Sequence, residues 1–398
     1  MEALGWAIFV FALLFSVMLH ETGHFVMAKK FGMKATRYFV GFGPTIWSVR
    51  RGETEYGIKA LPLGGFVKIV GMHSLDQVDP EDEARSFRRG PGWQRIIVLS
   101  AGSFMHFLLA FFLIGGLALG IGIENDNTTQ LGTITSCVAS NVHALDNDIC
   151  SEGNAKSPAE IAGLRVGDTI TGFDGKQVST WTQLGNAIRV APVGSVATIT
   201  VLRAGKTVTL HAKLAHINGR SGAYLGVAPT VVFQTASPIG AITYAGSAFW
   251  QVLDGSANAV AALPGALPKL FNKKERADSA GGQVTSVYGA AEATGQAVAA
   301  DVGWQYKVSF VLLLIASLNI FVGVFNMLPL LPLDGGHIAI VIWERIRARL
   351  ARLRGRPDPG LVDISKVLPV CFSIFMIVMV FGVLLIVADI VNPLNVVG

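Results

Sequence analysis

Leu4–Lys30 reads LGWAIFVFALLFSVMLHETGHFVMAKK, and the fold turns on how this stretch is taken. Residues 4–19 carry no charge; His20, Glu21 and His24 then arrive before the run closes on Lys29 and Lys30. A helix needs about 20 apolar residues to cross a hydrocarbon core of about 30 Å. This stretch is long enough only if the helix continues through its polar residues to Ala28, and polar groups so placed are costly enough to mark function. A secretory signal peptide is the alternative. It would want a basic start and a small-residue cleavage site, whereas the only early charge here is Glu2 and the run ends in His-Glu.

Three further runs need no such extension. Ile96–Ile123 is uncharged for 28 positions, Val308–Leu333 for 26 and Val367–Ala388 for 22. The whole chain of 398 residues is 51% apolar and only 15% charged, against about 25% charged in a soluble domain. That excludes a soluble enzyme, a disordered chain and a disulfide-framework toxin. The net charge of +5 does not point to nucleic acid, because the basic residues cluster beside the apolar runs. From Lys29 to Gly92 there are 11 Lys/Arg against 7 Asp/Glu, and the third run is followed by Arg345, Arg347, Arg349, Arg352, Arg354, Arg356 and Lys366. Basic loops stay on the cytoplasmic side, so both termini and the long 124–307 segment are expected outside a bacterial plasma membrane.

The expected fold class is therefore a multi-pass α-helical membrane protein with four transmembrane helices. It carries a membrane-associated β-hairpin element and an inserted extracytoplasmic, β-rich domain, whose Ser157–Ile170 stretch with Asp174-Gly175 resembles a PDZ domain. The expected divisions are span one at 1–30, a cytoplasmic hairpin loop at 31–92 and span two at 93–123. The external domain follows at 124–228, an amphipathic linker at 229–307 and span three at 308–334. A basic cytoplasmic loop at 335–366 leads to span four at 367–391. The Ala-, Gly- and Val-rich stretch from Ala236 to Ala300 reads as amphipathic helices on the membrane surface.

His20-Glu21-Thr22-Gly23-His24 is H-E-x-x-H. Residues four apart share a helix face, so both imidazoles can reach one tetrahedral Zn2+, and Glu21 is placed to take a proton from a zinc-bound water. Two interfacial histidines and a snorkelling glutamate are the plainer alternative. A catalytic zinc wants a third protein ligand and one open position. Asp334, in Asn326-Met327-Leu328-Pro329-Leu330-Leu331-Pro332-Leu333-Asp334-Gly335, ends an uncharged span, where a carboxylate is expensive unless paired, metal-bound or hydrated. Spans one and three run in the same direction, which brings both groups to the cytoplasmic half of the bilayer. Taken alone, Asp334 could equally start a helix after a Pro-rich break.

The order of H-E-x-x-H in the first span, an external PDZ-like segment, then N-x-x-P…D-G in a later span resembles the site-2 proteases. It is most similar to the bacterial RseP-like group and, within it, the actinobacterial Rip-type members. The resemblance spans nearly the whole chain. It implies a zinc-dependent endopeptidase that cuts transmembrane segments of single-span regulatory proteins such as anti-sigma factors, after an upstream site-1-type protease. By position it implies that His20, His24 and Asp334 bind zinc, that Glu21 is the general base and that Asn326 positions substrate. Without the family, Asn326 is equally an interhelical hydrogen-bonding residue. Two departures stand out. Span two reads Gly102-Ser103-Phe104-Met105-His106 where the family often has Gly-Pro-x-x-Asn, and the prolines after Asn326 are spaced differently.

Thr45–Ala60 reads as a hairpin turning at Arg51-Gly52, followed by the glycine-rich 61–71 stretch. In resembling proteins this region is a membrane-associated β element near the site, and a free strand edge there could pair with an unwound substrate by strand addition; a hairpin without that role is the alternative. Ser157–Ile170 with Asp174-Gly175 and the alternating Val196–Leu202 resembles a PDZ domain, with Tyr224-Leu225-Gly226-Val227 as its carboxylate-binding loop. Cys137 and Cys150 flank an insert on the expected outside, where a disulfide is permitted; Cys371 falls within span four. Two rival functions remain at this point: a non-catalytic PDZ scaffold, which would not need Glu21, and a metal transporter, which would want more polar residues along its spans.

Overall fold

The computed structural model describes residues 1–72, 77–125, 127–138, 155–217, 222–266, 286–362 and 368–391. The opening stretch is one helix, α1 (Glu2–Lys30), with Lys29 and Lys30 in its last turn, where cations complement the helix dipole. Next come two long strands, β1 (Ala35–Arg51) and β2 (Thr54–Ile69), and helix α2 (Gly92–Gly120). Four helices among the described residues are long and apolar enough to cross a membrane: Glu2–Lys30, Gly92–Gly120, Trp304–Asn326 and Cys371–Val391. The protein is a helix-rich membrane protein with some sheet. It divides into two compact units, residues 1–120 with 237–398, and residues 121–236.

The second unit begins with β3 (Ile123–Asn125), β4 (Leu131–Ile134) and the short helix α3 (Pro158–Ile161). It continues with β5 (Thr169–Phe173), β6 (Lys176–Gln177), α4 (Trp181–Val190), β7 (Val196–Arg203) and β8 (Lys206–Lys213). Strands β9 (Val227–Pro229) and β10 (Val232–Gln234) close it. The main sheet has the order β6-β5-β7-β8, while β3 pairs with β10 and β4 with β9. Alternation in β7 sends Ala197, Ile199 and Val201 into a core with Leu131, Ile170, Leu184 and Leu214. Both helices are capped as their sequences require: Ser157 Oγ accepts from the Glu160 N–H at 3.1 Å and Thr180 Oγ1 from the Gln183 N–H at 3.3 Å.

In the first unit, α5 (Pro238–Ala266) and α6 (Val287–Ala299) precede α7 (Trp304–Asn326), α8 (Asp334–Leu353) and α9 (Leu368–Val391). The 229–307 segment is thus more than a surface linker. Helix α5 lays Ala245, with Tyr244, Ala248 and Phe249, against Ala110 and Ile114 of α2 and Ala316 and Ile320 of α7. Helix α6 packs Ala290 and Ala291 on Phe9 of α1. Small residues recur at these crossings because lipid offers no hydrophobic drive for association, so close backbone approach has to supply it. The uncharged run 308–333 is not one helix either. It ends at Asn326, passes through a turn containing Pro329 and Pro332, and restarts at Asp334.

The strands are longer than the hairpin of the sequence reading, and they fold back on themselves. Tyr38 lies opposite both Val67 and Tyr56, and Phe39 opposite both Phe66 and Gly57. Among the described residues, 65–69 pair only with the start of β1, so their other side is an edge.

Candidate active site

Helix α1 sets the site's floor. His20 and His24, four residues apart, are both buried, and their Nε2 atoms lie 3.0 Å apart. Asp334 Oδ2 is 3.3 Å from His20 Nε2 and 3.4 Å from His24 Nε2. These three are the only group of His, Cys, Asp and Glu side chains among the described residues that could hold a metal ion. Four ligands around a zinc at bond lengths of about 2.0–2.1 Å sit about 3.3–3.4 Å from one another. The observed triangle therefore fits one face of such a tetrahedron and leaves the fourth corner open. Asp334 Oδ2 is also buried without a hydrogen-bond partner, as expected of an oxygen whose natural partner is a cation.

The supporting contacts come from elements far apart in the chain. His24 Nδ1 donates to the carbonyl of Val98 on α2 at 2.7 Å, which leaves its Nε2 as a bare lone pair for a metal. Gly102 of α2 packs directly on the pair: a Cβ there would lie 2.5 Å from His20 Cε1 and 2.6 Å from His24 Nε2. Asp334 occupies the first turn of α8, where the helix dipole favours a carboxylate. Its turn is tight because Gly335 and Gly336 lie against the backbone of residues 327–331, with no room for a Cβ at either.

Glu21 sits beside the triad, and its Oε2 accepts a hydrogen bond from the Val67 N–H of β2 at 2.9 Å. The unpaired side of the 65–69 edge thus faces the motif. Next to it, the Thr22 and Tyr38 hydroxyls are 2.7 Å apart, and Tyr38 also donates to the Met18 carbonyl at 3.2 Å. Burial and the nearby Glu21 charge push the Tyr38 hydroxyl above its ordinary value.

Not every residue singled out by the sequence joins the cluster. Asn326 ends α7, half-buried, outside the metal-capable group. Cys137 is disulfide-bonded and Cys371 lies within α9; Cys150 lies outside the described residues. A buried polar cluster that no motif marks lies one turn from His20. Asn319 Oδ1 accepts from Ser16 Oγ and lies 2.8 Å from His106 Nδ1, which is 3.0 Å from Ser16 Oγ. The signal for it was present, because Ser16 and Asn319 are polar residues inside uncharged spans.

A histidine–histidine–aspartate donor set buried among membrane-spanning helices, with a glutamate next to the first histidine, defines a membrane-embedded metal hydrolase. The chain belongs to Peptidase family M50, whose model matches residues 8–357. It is similar to the zinc metalloprotease Rip1 of Mycobacterium bovis, at 36% identity over 98% of both chains. It is equally similar to the zinc metalloprotease Rip1 of Mycolicibacterium smegmatis, at 36% identity over 100% of this chain and 99% of that one. A PDZ domain of an SdrC-like protein from Listeria monocytogenes also matches 25% of this chain and 90% of its own, at 22% identity and a TM-score of 0.17. That likeness is too slight to bear on the fold. The protein is an intramembrane zinc metalloprotease.

Proposed function

We propose that His20, His24 and Asp334 hold the zinc and that Glu21 carries the proton of the hydrolysis. The observation behind this is the convergence of three ligand atoms 3.0–3.4 Å apart from α1 and α8. Zinc bound there supplies Lewis acidity and lowers the pKa of a bound water. Among the described residues Glu21 is tethered through one carboxylate oxygen, so the other is available to take a proton and return it to the leaving amine.

A helical substrate hides its carbonyls in its own hydrogen bonds, so cleavage requires an extended strand. The outer edge of residues 65–69 offers backbone groups to such a strand, with the Glu21 carboxylate on the same side. Asn326, its amide unengaged by any hydrogen bond among the described residues, is assigned to holding the substrate backbone. The substrates are single-span membrane proteins of the anti-sigma-factor kind, shortened first by a site-1-type protease. The basic loops face the cytoplasm and both termini lie outside.

The 121–236 unit is read as an extracytoplasmic PDZ domain. In support, a groove of about 330 Å³ runs between α4 (Trp181, Ile188, Arg189) and Tyr224, Leu225 and Gly226. That is where a peptide end would lie against the carboxylate-binding loop. A disulfide between Cys137 and Cys150 would tie down the insert ahead of it.

The test is cleavage of single-span membrane peptides by purified protein in lipid, comparing wild type with Glu21→Gln while bound zinc is measured. Wild type should cut and Glu21→Gln should lose about 10²–10⁴-fold in rate at equal zinc content. Equal cutting by both would remove Glu21 from the chemistry, and zinc in neither would remove the site.

A further inference from the structure

We infer that the protein binds the phosphate headgroup of an anionic phospholipid in a basic cavity where α2 begins. The cavity, of about 1230 Å³, opens between the start of α2 and the outer half of α8. It lies apart from the metal-capable residues, and the proposal is independent of the proteolytic mechanism.

Arg88, Arg89, Arg95, Arg345, Arg349 and Arg352 line it, against Glu83, Glu344 and Asp358. The carboxylates are already engaged. Glu83 is taken by Arg88 and Arg89. Glu344 accepts from Arg95 at 2.9 Å through one oxygen and from the Val362 N–H at 2.9 Å through the other. Asp358 accepts from the Gly360 N–H at 2.9 Å within its own turn. Arg345, Arg349 and Arg352 are exposed and pair with no carboxylate among the described residues. Their spacing puts all three on one face of α8. Gly92 opens α2 directly beneath the first of them, since a Cβ there would meet Arg345 Cδ at 2.8 Å. Three unpaired guanidiniums beside the positive end of a helix form a site for phosphate oxygens.

The neighbours choose the source of the phosphate. Ile342, Ile346, Leu350 and Leu353 form an exposed apolar stripe on α8 beside the arginines, and Ile342 and Ile346 also line the cavity. Trp93, at the start of spanning helix α2, and Trp343 on α8 are exposed as well, and aromatic rings mark the membrane interface. A lipid meets both demands, with its headgroup on the arginines and its acyl chains on the apolar stripe. A soluble polyanion or an acidic peptide would meet only the first.

The experiment uses the full-length protein in nanodiscs of phosphatidylcholine with and without phosphatidylglycerol or cardiolipin, with retained lipid read by native mass spectrometry. Wild type should retain anionic lipid. Arg345→Gln with Arg349→Gln should weaken retention on the order of thirtyfold. Arg354→Gln with Arg356→Gln removes the same charge nearby without touching the cavity and should leave retention within about threefold. Equal loss in both pairs would reduce the effect to diffuse charge and overturn the site. Displacement of the lipid by inorganic pyrophosphate, or competition by a glutamate-rich peptide that binds more tightly than lipid, would overturn the choice of ligand. Should the paired variant fail to fold, wild type still decides: its unfolding temperature must rise when anionic lipid enters the nanodisc, and no rise refutes the proposal.

Discussion

Gly102→Ala is the smallest change that reaches the proposed metal site without removing one of its proposed ligands. The added methyl carbon would sit 2.5 Å from His20 Cε1, 2.6 Å from His24 Nε2 and 2.7 Å from His20 Nδ1. To regain an ordinary contact of 3.4 Å, the imidazoles or α2 must move by about 0.9 Å. A metal site tolerates about 0.2 Å. His24 cannot yield freely, because swinging it breaks its bond to Val98; the relief falls on His20 or on the α1–α2 crossing, and either opens the donor triangle. The expected result is a loss of zinc affinity of about a hundredfold or more, measured by chelator competition on protein in lipid, with cleavage falling in parallel. Helix content should hold, since alanine is the better helix former by about 1 kcal/mol. Gly116→Ala on the same helix meets nothing within 4 Å and is the matched control. Wild-type zinc affinity in Gly102→Ala would refute the packing of α2 on the histidines.

Three further outcomes are expected. His106→Leu leaves the Ser16 hydroxyl and Asn319 Oδ1 with each other, Asn319 Nδ2 keeping the Ile315 carbonyl, and should cost about 1 kcal/mol, since hydrogen bonds between membrane helices are worth about that; thermal unfolding in nanodiscs reads it, and an unchanged midpoint would show that the cluster is not held together. Glu344→Ala strands Arg95, whose side chain is only 12% exposed, and frees the Val362 N–H; a loss of about 3 kcal/mol is expected, with α8 amides exchanging faster with deuterium. Arg85 and Lys29 hold the Glu53 carboxyl down at about 2 from an ordinary 4.5. A depressed carboxyl contributes stability that is complete above 4.5 and lost as pH falls towards 2, so amide exchange at the β1–β2 turn should quicken across that window in wild type and not in Glu53→Gln.

The proposed ligands were legible in the sequence because the bilayer makes them so. An imidazole pair or a carboxylate inside an apolar run has to be justified by a partner, and His20, His24 and Asp334 were each conspicuous for that reason. The contacts that hold them were hidden. Val98 and Val67 act through a backbone carbonyl and a backbone N–H, groups that every residue carries and no side chain advertises. Helix α5 was obscure for another reason. Lipid tails are as apolar as a neighbouring helix, so a pattern of Ala, Gly and Val does not tell a face against α2 from a face against lipid. The turn between Asn326 and Asp334 was legible from its prolines, which remove backbone donors and break a helix, although hydropathy alone extends the uncharged run to Leu333.

The two histidines are not held alike, and the difference explains why α2 matters as much as the motif itself. His24 has the usual second hydrogen bond, which fixes its tautomer and its ring. Among the described residues His20 has none: its Nδ1 is buried and finds no partner there. Packing must do for His20 what a hydrogen bond does for His24. Gly102 closes one side of its ring, and the His106 ring lies 5.0 Å away, itself tied to Ser16 and Asn319. The orientation of His20 therefore rests on the crossing of α1, α2 and α7, while Asp334 arrives separately through the tight turn into α8. A change that loosens that crossing disturbs the metal before it disturbs the fold, because a shift of a few tenths of an ångström is small for packed helices and large for a zinc ligand.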